Sequence, residues 1–310
     1  MAMDDYVFKV KTATAKFRVK FSKDMAWTLQ ANGDRERILV GYTVTLGGNA
    51  EPECLQINVP LKGDTGTLLW LKSSVGCALE IEGEPDTTEI KGDLTQHMAH
   101  VGFTIARKMN TSLRYLTLQD SAMFNCVLPD GGLYPMNMTD HELAFYQQTY
   151  YERRYGSKFV LKGLQSIYES LLPNFTDPAK KPTVFKFNVS ALDDELQSLY
   201  LSTRTWKEFF DRIRITYGKK KCQVIYPWIK DALFLIFEHH QFSGFEHRID
   251  LDTRPAVRIS RSLGGGGATR RRHRRAAQAA QAFPASPPQL AAMDWREFLL
   301  PTKEGRISPF

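Results

Sequence analysis

At 310 residues, 43% of them hydrophobic and 12% aromatic, the chain is long enough for one large core or two smaller ones and too apolar for global disorder. Its net charge of +7 comes from 41 Lys and Arg against 34 Asp and Glu, yet residues 254–275 alone hold eight arginines and no acid. Residues 1–253 therefore carry 30 bases and 31 acids, which excludes a uniformly basic body and confines the excess to one short segment.

The first ~125 residues read as strands by their period of two. Tyr6, Phe8 and Val10 alternate with their neighbours, and Phe17, Val19 and Phe21 alternate with polar or basic residues. Ile38, Val40, Tyr42, Val44 and Leu46 give the cleanest alternation and end at Gly47-Gly48. Leu55-Ile57-Val59 stops at Pro60, Cys77-Leu79-Ile81 stops at Gly83, and Val101-Phe103-Ile105 and Leu113–Leu118 follow. One apolar face per strand predicts two antiparallel sheets packed face to face, a β-sandwich over residues 1–130.

After Pro129-Asp130-Gly131-Gly132 the period becomes helical, predicting a mainly helical domain over 131–250 and an α+β fold for the whole. Thr139-Asp140-His141-Glu142 matches a capping box opening a helix with Leu143, Tyr146 and Tyr150 on one face, and Gly156 is placed as its C′ residue. Further helices are expected over Leu161–Leu172, from about Ser190 through Leu199, from Thr203 or Thr205 to Gly218, and from Pro227 through Phe237. The run Gln223–Tyr226 is compatible with a buried strand.

Residues 251–310 read as a flexible basic tail. Gly264–Gly267 is a hinge, 268–283 is mostly Arg, Ala and Gln, and Pro284 to Pro288 is an extended spacer. Within it Arg270, Arg271, Arg272, His273, Arg274 and Arg275, joined by Arg261, form the strongest binding signal. Guanidinium groups are always charged and fork onto phosphate oxygens, so the run is expected to bind nucleic acid, DNA foremost, with little sequence specificity. A solvated tail or an import signal is the plainer reading. Trp295, Phe298 and Leu299, spaced i, i+3 and i+4, have the form of a short partner-docking helix.

Other clusters point to structure first. Lys219-Lys220-Lys221 near Arg212 and Arg214 reads as a solvated loop, and the aromatic segment Thr149–Gly156 as packing. His239-His240 project about 100° apart on a helix and make no metal pair. No phosphate-binding loop, zinc spacing or nucleophile elbow occurs, so no catalytic residue, metal or cofactor is assigned. An enzyme of nucleic-acid metabolism would need distant groups to converge, with Asp120, His141 and Glu152 as candidates. Four unspaced cysteines (Cys54, Cys77, Cys126, Cys222), no apolar h-region and no apolar run of ~20 residues predict reduced, buried thiols in an intracellular protein with no membrane span. Four N-x-S/T sequons, at Asn110, Asn137, Asn174 and Asn188, are then incidental.

The segment Thr149-Tyr150-Tyr151-Glu152-Arg153-Arg154-Tyr155-Gly156-Ser157 resembles a recurring Thr-Trp-Tyr-Glu-x-x-Phe-Gly-Ala pattern, with Tyr150 in place of Trp. That pattern belongs to a group of uncharacterised proteins from nucleocytoplasmic large DNA (giant) viruses. Thr205-Trp206-Lys207-Glu208-Phe209-Phe210, Cys222 and Tyr226-Pro227-Trp228 resemble a second region of the same group. The resemblance covers roughly residues 110–230 and brings no activity with it. It implies a protein of the virion, or of the nucleus or cytoplasm of an infected cell, giving the tail genome DNA as a partner and the terminal motif a viral protein. A non-enzymatic structural or genome-associated role is the leading expectation. A capsid or scaffold subunit whose tail meets an acidic protein is a further one.

Overall fold

The computed structural model describes residues 6–12, 15–31, 33–48, 52–71, 77–81, 93–127, 131–187, 193–254 and 256–262. They form an α+β fold with a large sheet component and several helices, divided into two compact units. One unit holds residues up to Leu61, Trp70–Asn110 and the chain from Pro255; the other holds Lys62–Leu69 and Thr111–Arg254. The chain thus passes from one unit to the other after Asn110, where composition placed a border near residue 130.

In the first unit the strands are β1 (Tyr6–Lys11), β2 (Ala15–Leu29), β3 (Arg35–Gly47) and β4 (Leu55–Pro60), each antiparallel to the next. Val10, Phe17, Val19, Val44, Leu46, Leu55 and Ile57 are fully buried, so the alternation read from the sequence describes a real apolar face. Two short strands complete the unit: β6 (Glu80–Ile81) pairs with the start of β2, and β12 (Ser260–Ser262) pairs with β1.

Helix α1 (Asp93–Met109) packs against β3 and β4, which corrects the strand expected at Val101-Phe103-Ile105. Met98, Val101, Ile105 and Met109 are buried along one helical stripe while Gln96, His97, His100, Thr104, Arg107 and Lys108 recur on the other side, so the helix is amphipathic, and three alternating apolar residues inside it do not separate helix from strand. Its approach to the sheet is close at Gly102, where a Cβ would collide with Leu55 Cδ2 and lie 3.0 Å from Ile57 Cδ1.

The second unit contains a sheet in the order β10 (Lys158–Phe159), β11 (Glu246–Asp250), β7 (Tyr115–Gln119) and β5 (Thr65–Leu71), the last belonging to it as far as Leu69. β5 and β7 run parallel and the other pairs antiparallel. A separate hairpin joins β8 (Met123–Val127) to β9 (Leu133–Asn137). The helices are α2 (Met138–Tyr146), α3 (Tyr150–Tyr155), α4 (Lys162–Leu171), α5 (Asp193–Leu201), α6 (Trp206–Tyr217), α7 (Lys221–Ile225) and α8 (Ile229–Ile236). They enclose an aromatic core in which Phe185 meets Trp206 edge-on at 5.3 Å and Phe187 meets Trp228 at 5.1 Å.

Local chemistry moves several predicted boundaries. α2 is capped by Asn137, whose side chain accepts from the N–H groups of Thr139 and Asp140, so no capping box forms at Thr139–Glu142. The box lies at Thr149–Glu152 and opens α3, after Gln147 ends α2 in the left-handed region. Gly156 closes α3 at φ 52°. The expected strand at Gln223–Tyr226 is helical in α7, and α8 starts after Trp228 rather than at Pro227.

The cysteines are paired rather than reduced: Cys54 bonds Cys77 within the first unit and Cys126 bonds Cys222 within the second. Spacing in sequence could not reveal this, because folding brings the partners to Cα separations of 5.7 and 5.9 Å across 23 and 96 residues. Three of the sequon asparagines have internal duties. Asn110 donates to Pro60 O, Asn137 caps α2, and Asn174 donates to Ile236 O; Asn188 lies outside the described residues. The tail does not begin at 251 either: Leu251 is fully buried and donates its N–H to Arg114 O, and Val257 N–H donates to the Thr104 hydroxyl.

Candidate nucleic-acid interface

The face of the first unit's sheet opposite its apolar residues gathers positive charge. In the β1–β2 ladder Val10 stands across from Phe17, so the intervening positions share the other face: Lys9 opposes Arg18 and Lys11 opposes Lys16. Lys20, across from Val7, continues the row. Lys9, Lys11 and Arg18 are exposed, and Lys16 and Lys20 half-buried. Opposed side chains in such a ladder start about 5 Å apart, and like charges placed this way are destabilising. Alternate residues along a strand are separated by about 7 Å, so the five cations sample two adjacent rows of a narrow patch.

The patch has a polar flank and a boundary. Thr45 and Thr43 on β3 continue the face from Lys20 and Ser22, and Gln56 and Asn58 on β4 continue it further. The Thr43 hydroxyl lies 2.8 Å from Asp24 Oδ1 and 3.0 Å from Asn58 Oδ1. Asp24 therefore meets the edge of the patch already engaged by a hydroxyl. Glu80 occupies the register position across from Lys16. The row of guanidinium and ammonium groups offers phosphate oxygens charge and hydrogen-bond donors together.

β12 ties this face to the sequence's strongest signal. Ser262 pairs with Lys9 and Ser260 with Lys11, so the chain leaves the described residues beside the cationic ladder. Arg270 follows eight residues later, a reach of at most about 29 Å from fully extended geometry. Arg261 takes the register position across from Val10. Arg270, Arg271, Arg272, His273, Arg274, Arg275, Trp295, Phe298 and Leu299 lie outside the described residues.

The other candidates separate. Asp120, His141 and Glu152 all belong to the second unit, but each has its own structural task. Asp120 is buried and accepts from Ala122 N–H, with burial pushing its pKa up. The His141 ring packs on Phe124 and Phe145 and lies 3.7 Å from Glu142. Glu152 closes the α3 capping box and accepts from the Tyr168 hydroxyl at 2.6 Å. Among the described residues no hydrogen bond or ion pair joins any two of the three. Thr149–Gly156 is structural as expected: Tyr151 and Tyr155 are buried, while Arg153 pairs with Glu142 and covers the Tyr146 ring.

The lysine loop does not extend a basic track. Arg214 pairs with Asp211, and Lys221 lies over the Phe145 ring. Among the described residues no group of three His, Cys, Asp or Glu side chains is arranged to hold a metal, and no helix is long and apolar enough to cross a membrane. His239 stacks edge-on against Phe234 rather than beside a ligating partner. The cationic ladder itself was visible in the sequence only as the hydrophilic half of an alternating pattern, since register is needed to show which cations meet. Comparison of the chain with known protein families, with curated proteins and with solved structures finds no match.

Proposed function

We propose that this is a non-enzymatic, genome-associated or structural protein of a large DNA virus, which holds DNA by its phosphate backbone. The observation that carries the reading is the doubly opposed cation ladder, Lys9 with Arg18 and Lys11 with Lys16, on an accessible sheet face. Cations from two adjacent strands placed this close together can meet the oxygens of one phosphate backbone at once. The α1-covered face supplies the packing expected of a layered β domain, while Lys9, Lys11 and Arg18 are exposed on the opposite face. The arginine run begins within eight residues of the same edge, so tail and face can engage one stretch of backbone. Phosphate contacts position without reading bases, which gives binding of low sequence specificity.

The viral assignment rests on the resemblance around Thr149–Ser157 and Thr205–Trp228. The two disulfides favour the virion over the reducing cytosol as the protein's final location, because such bonds persist on virion surfaces. Trp295, Phe298 and Leu299 are assigned to a viral protein partner, capsid components included.

The test is duplex-DNA binding by the full chain at two salt concentrations, beside a full-length variant with Arg270, Arg271, Arg272, Arg274 and Arg275 all changed to Gln. Neutralising five phosphates would account for a slope of about −4.5 in log K against log salt on duplex DNA, and removing the five arginines should flatten it. Equal affinity and equal slope for both proteins would take the tail out of DNA binding. Binding to an acidic protein with no binding to DNA would replace nucleic acid by a protein partner.

A further inference from the structure

A pocket in the second unit has the polarity of a small-molecule site, independent of the cationic sheet. It encloses about 270 Å³ between α2, α8 and the chain that follows α8. That volume is just below the roughly 300–1,000 Å³ of sites for drug-sized ligands, and so suits a molecule of amino-acid size. Leu143, Leu233, Phe237 and Phe242 supply buried apolar walls. Asp140, only 7% exposed, brings a carboxylate to this lining from the first turn of α2. Lys230, exposed on α8, supplies the opposite charge.

Two features mark the lining as built rather than left over. Lys230 is close enough to pull the Asp140 pKa down against burial, yet the two make no ion pair with each other. The Asp140 carboxylate accepts from the Ser243 side chain, and its remaining lone pairs, with the Lys230 ammonium, stay open to a ligand. Beyond α8, Glu238 and His239 both take positive φ, 48° and 71°, a conformation that costs a non-glycine residue energy and tends to persist where the surroundings enforce it. The Glu238 carboxylate meets Lys180 at 2.7 Å, and the turn brings His239 and His240 to the lining. His240 is fixed by its ring nitrogen 3.0 Å from Phe237 O.

We infer that this pocket binds a small apolar zwitterion of the α-amino-acid type, with its ammonium on Asp140, its carboxylate toward Lys230 and its side chain among Leu143, Leu233, Phe237 and Phe242. Charge complementarity selects the class: a carboxylate inside and an ammonium outside match a ligand with the same two charges reversed, separated by a short span.

Titration of the full chain with L-phenylalanine, phenethylamine and 3-phenylpropionate, followed by ligand-observed NMR and calorimetry, tests this. Saturable phenylalanine binding is expected, with each single-charge analogue at least tenfold weaker. Lys230→Gln, at an exposed position, should leave the fold intact and abolish the preference for phenylalanine over phenethylamine. Asp140→Asn should abolish the preference over phenylpropionate. Absence of saturable binding by phenylalanine up to millimolar concentrations overturns the inference, as does equal binding of all three probes. A Lys230→Gln protein that discriminates like the native one overturns it as well.

Discussion

Lys9 and Arg18 face each other directly across the β1–β2 ladder, on the side of the sheet away from its buried residues. Opposite charges at such a position stabilise by roughly 0.2–1 kcal/mol, and like charges oppose folding by a similar amount. Arg18→Glu should therefore raise the urea midpoint slightly while weakening DNA binding. A substitution that improves folding and harms binding separates a functional surface from a merely tolerated one. A parallel fall in both would identify Arg18 as structural.

Gly102 sits where α1 meets β4. On an isolated helix Gly→Ala would stabilise by about 1 kcal/mol. Here the added methyl meets Leu55 and Ile57, so Gly102→Ala should destabilise by about 1–3 kcal/mol in a chemical melt. Stabilisation instead would show that the helix does not approach the sheet at this point.

The second disulfide closes the longer loop, 96 residues between Cys126 and Cys222 against 23 between Cys54 and Cys77. Loop-closure entropy ranks it the more stabilising, by about 4–5 kcal/mol against about 3. Paired Cys126→Ala and Cys222→Ala substitutions should lower the urea midpoint more than the corresponding pair at Cys54 and Cys77. Identical midpoints for the native protein with and without reductant would argue that neither bond forms in solution.

Two buried groups make opposite contributions to acid stability. Burial raises the Asp140 pKa to about 6, above its unfolded value of 3.8, so the folded state takes up a proton first and this contribution grows as pH falls from 6 toward 4. Burial lowers the His247 pKa to about 4 from 6.5, so its contribution is complete above 6.5 and is lost as pH falls toward 4. Each is on the order of 3 kcal/mol and they nearly cancel over the shared window. Asp140→Asn should leave the His247 effect unopposed, giving a steeper decline in stability between pH 6.5 and 4 than the native protein shows. An unchanged pH profile would count against the burial of both groups.

The parts of the fold legible in the sequence were those with one dry face. Phe17, Val19, Val44 and Leu46 alternate because one side of their sheet is covered, and Trp206, Phe209, Phe210 and Ile213 recur at helical spacing because α6 lies on a core. Helix α1 was misread because Val101, Phe103 and Ile105 alternate locally, although Leu94, Met98, Val101, Ile105 and Met109 recur at helical spacing around them. The α2 cap was misplaced because Asn137, two residues before Thr139, starts the helix earlier by accepting from Thr139 and Asp140 N–H, while the real box sat in a segment read for its aromatics. Disulfide partners and cross-strand cations are long-range facts: nothing near Arg18 in the chain announces Lys9. The pocket was likewise illegible, since Asp140 and Lys230 come to one lining only through the packing of α2 on α8.

Engagement of nucleic acid by the sheet face, and not by the arginine run alone, is tested most directly by the salt dependence of duplex-DNA binding. The proteins to compare are the full chain and a variant with Lys9, Lys11, Arg18 and Lys20 all changed to Gln, both with the native tail. Weaker binding by the variant is expected, with a slope shallower by about 0.9 for every phosphate it leaves unneutralised. An unchanged affinity and slope in a variant that folds normally would contradict a role for the sheet face.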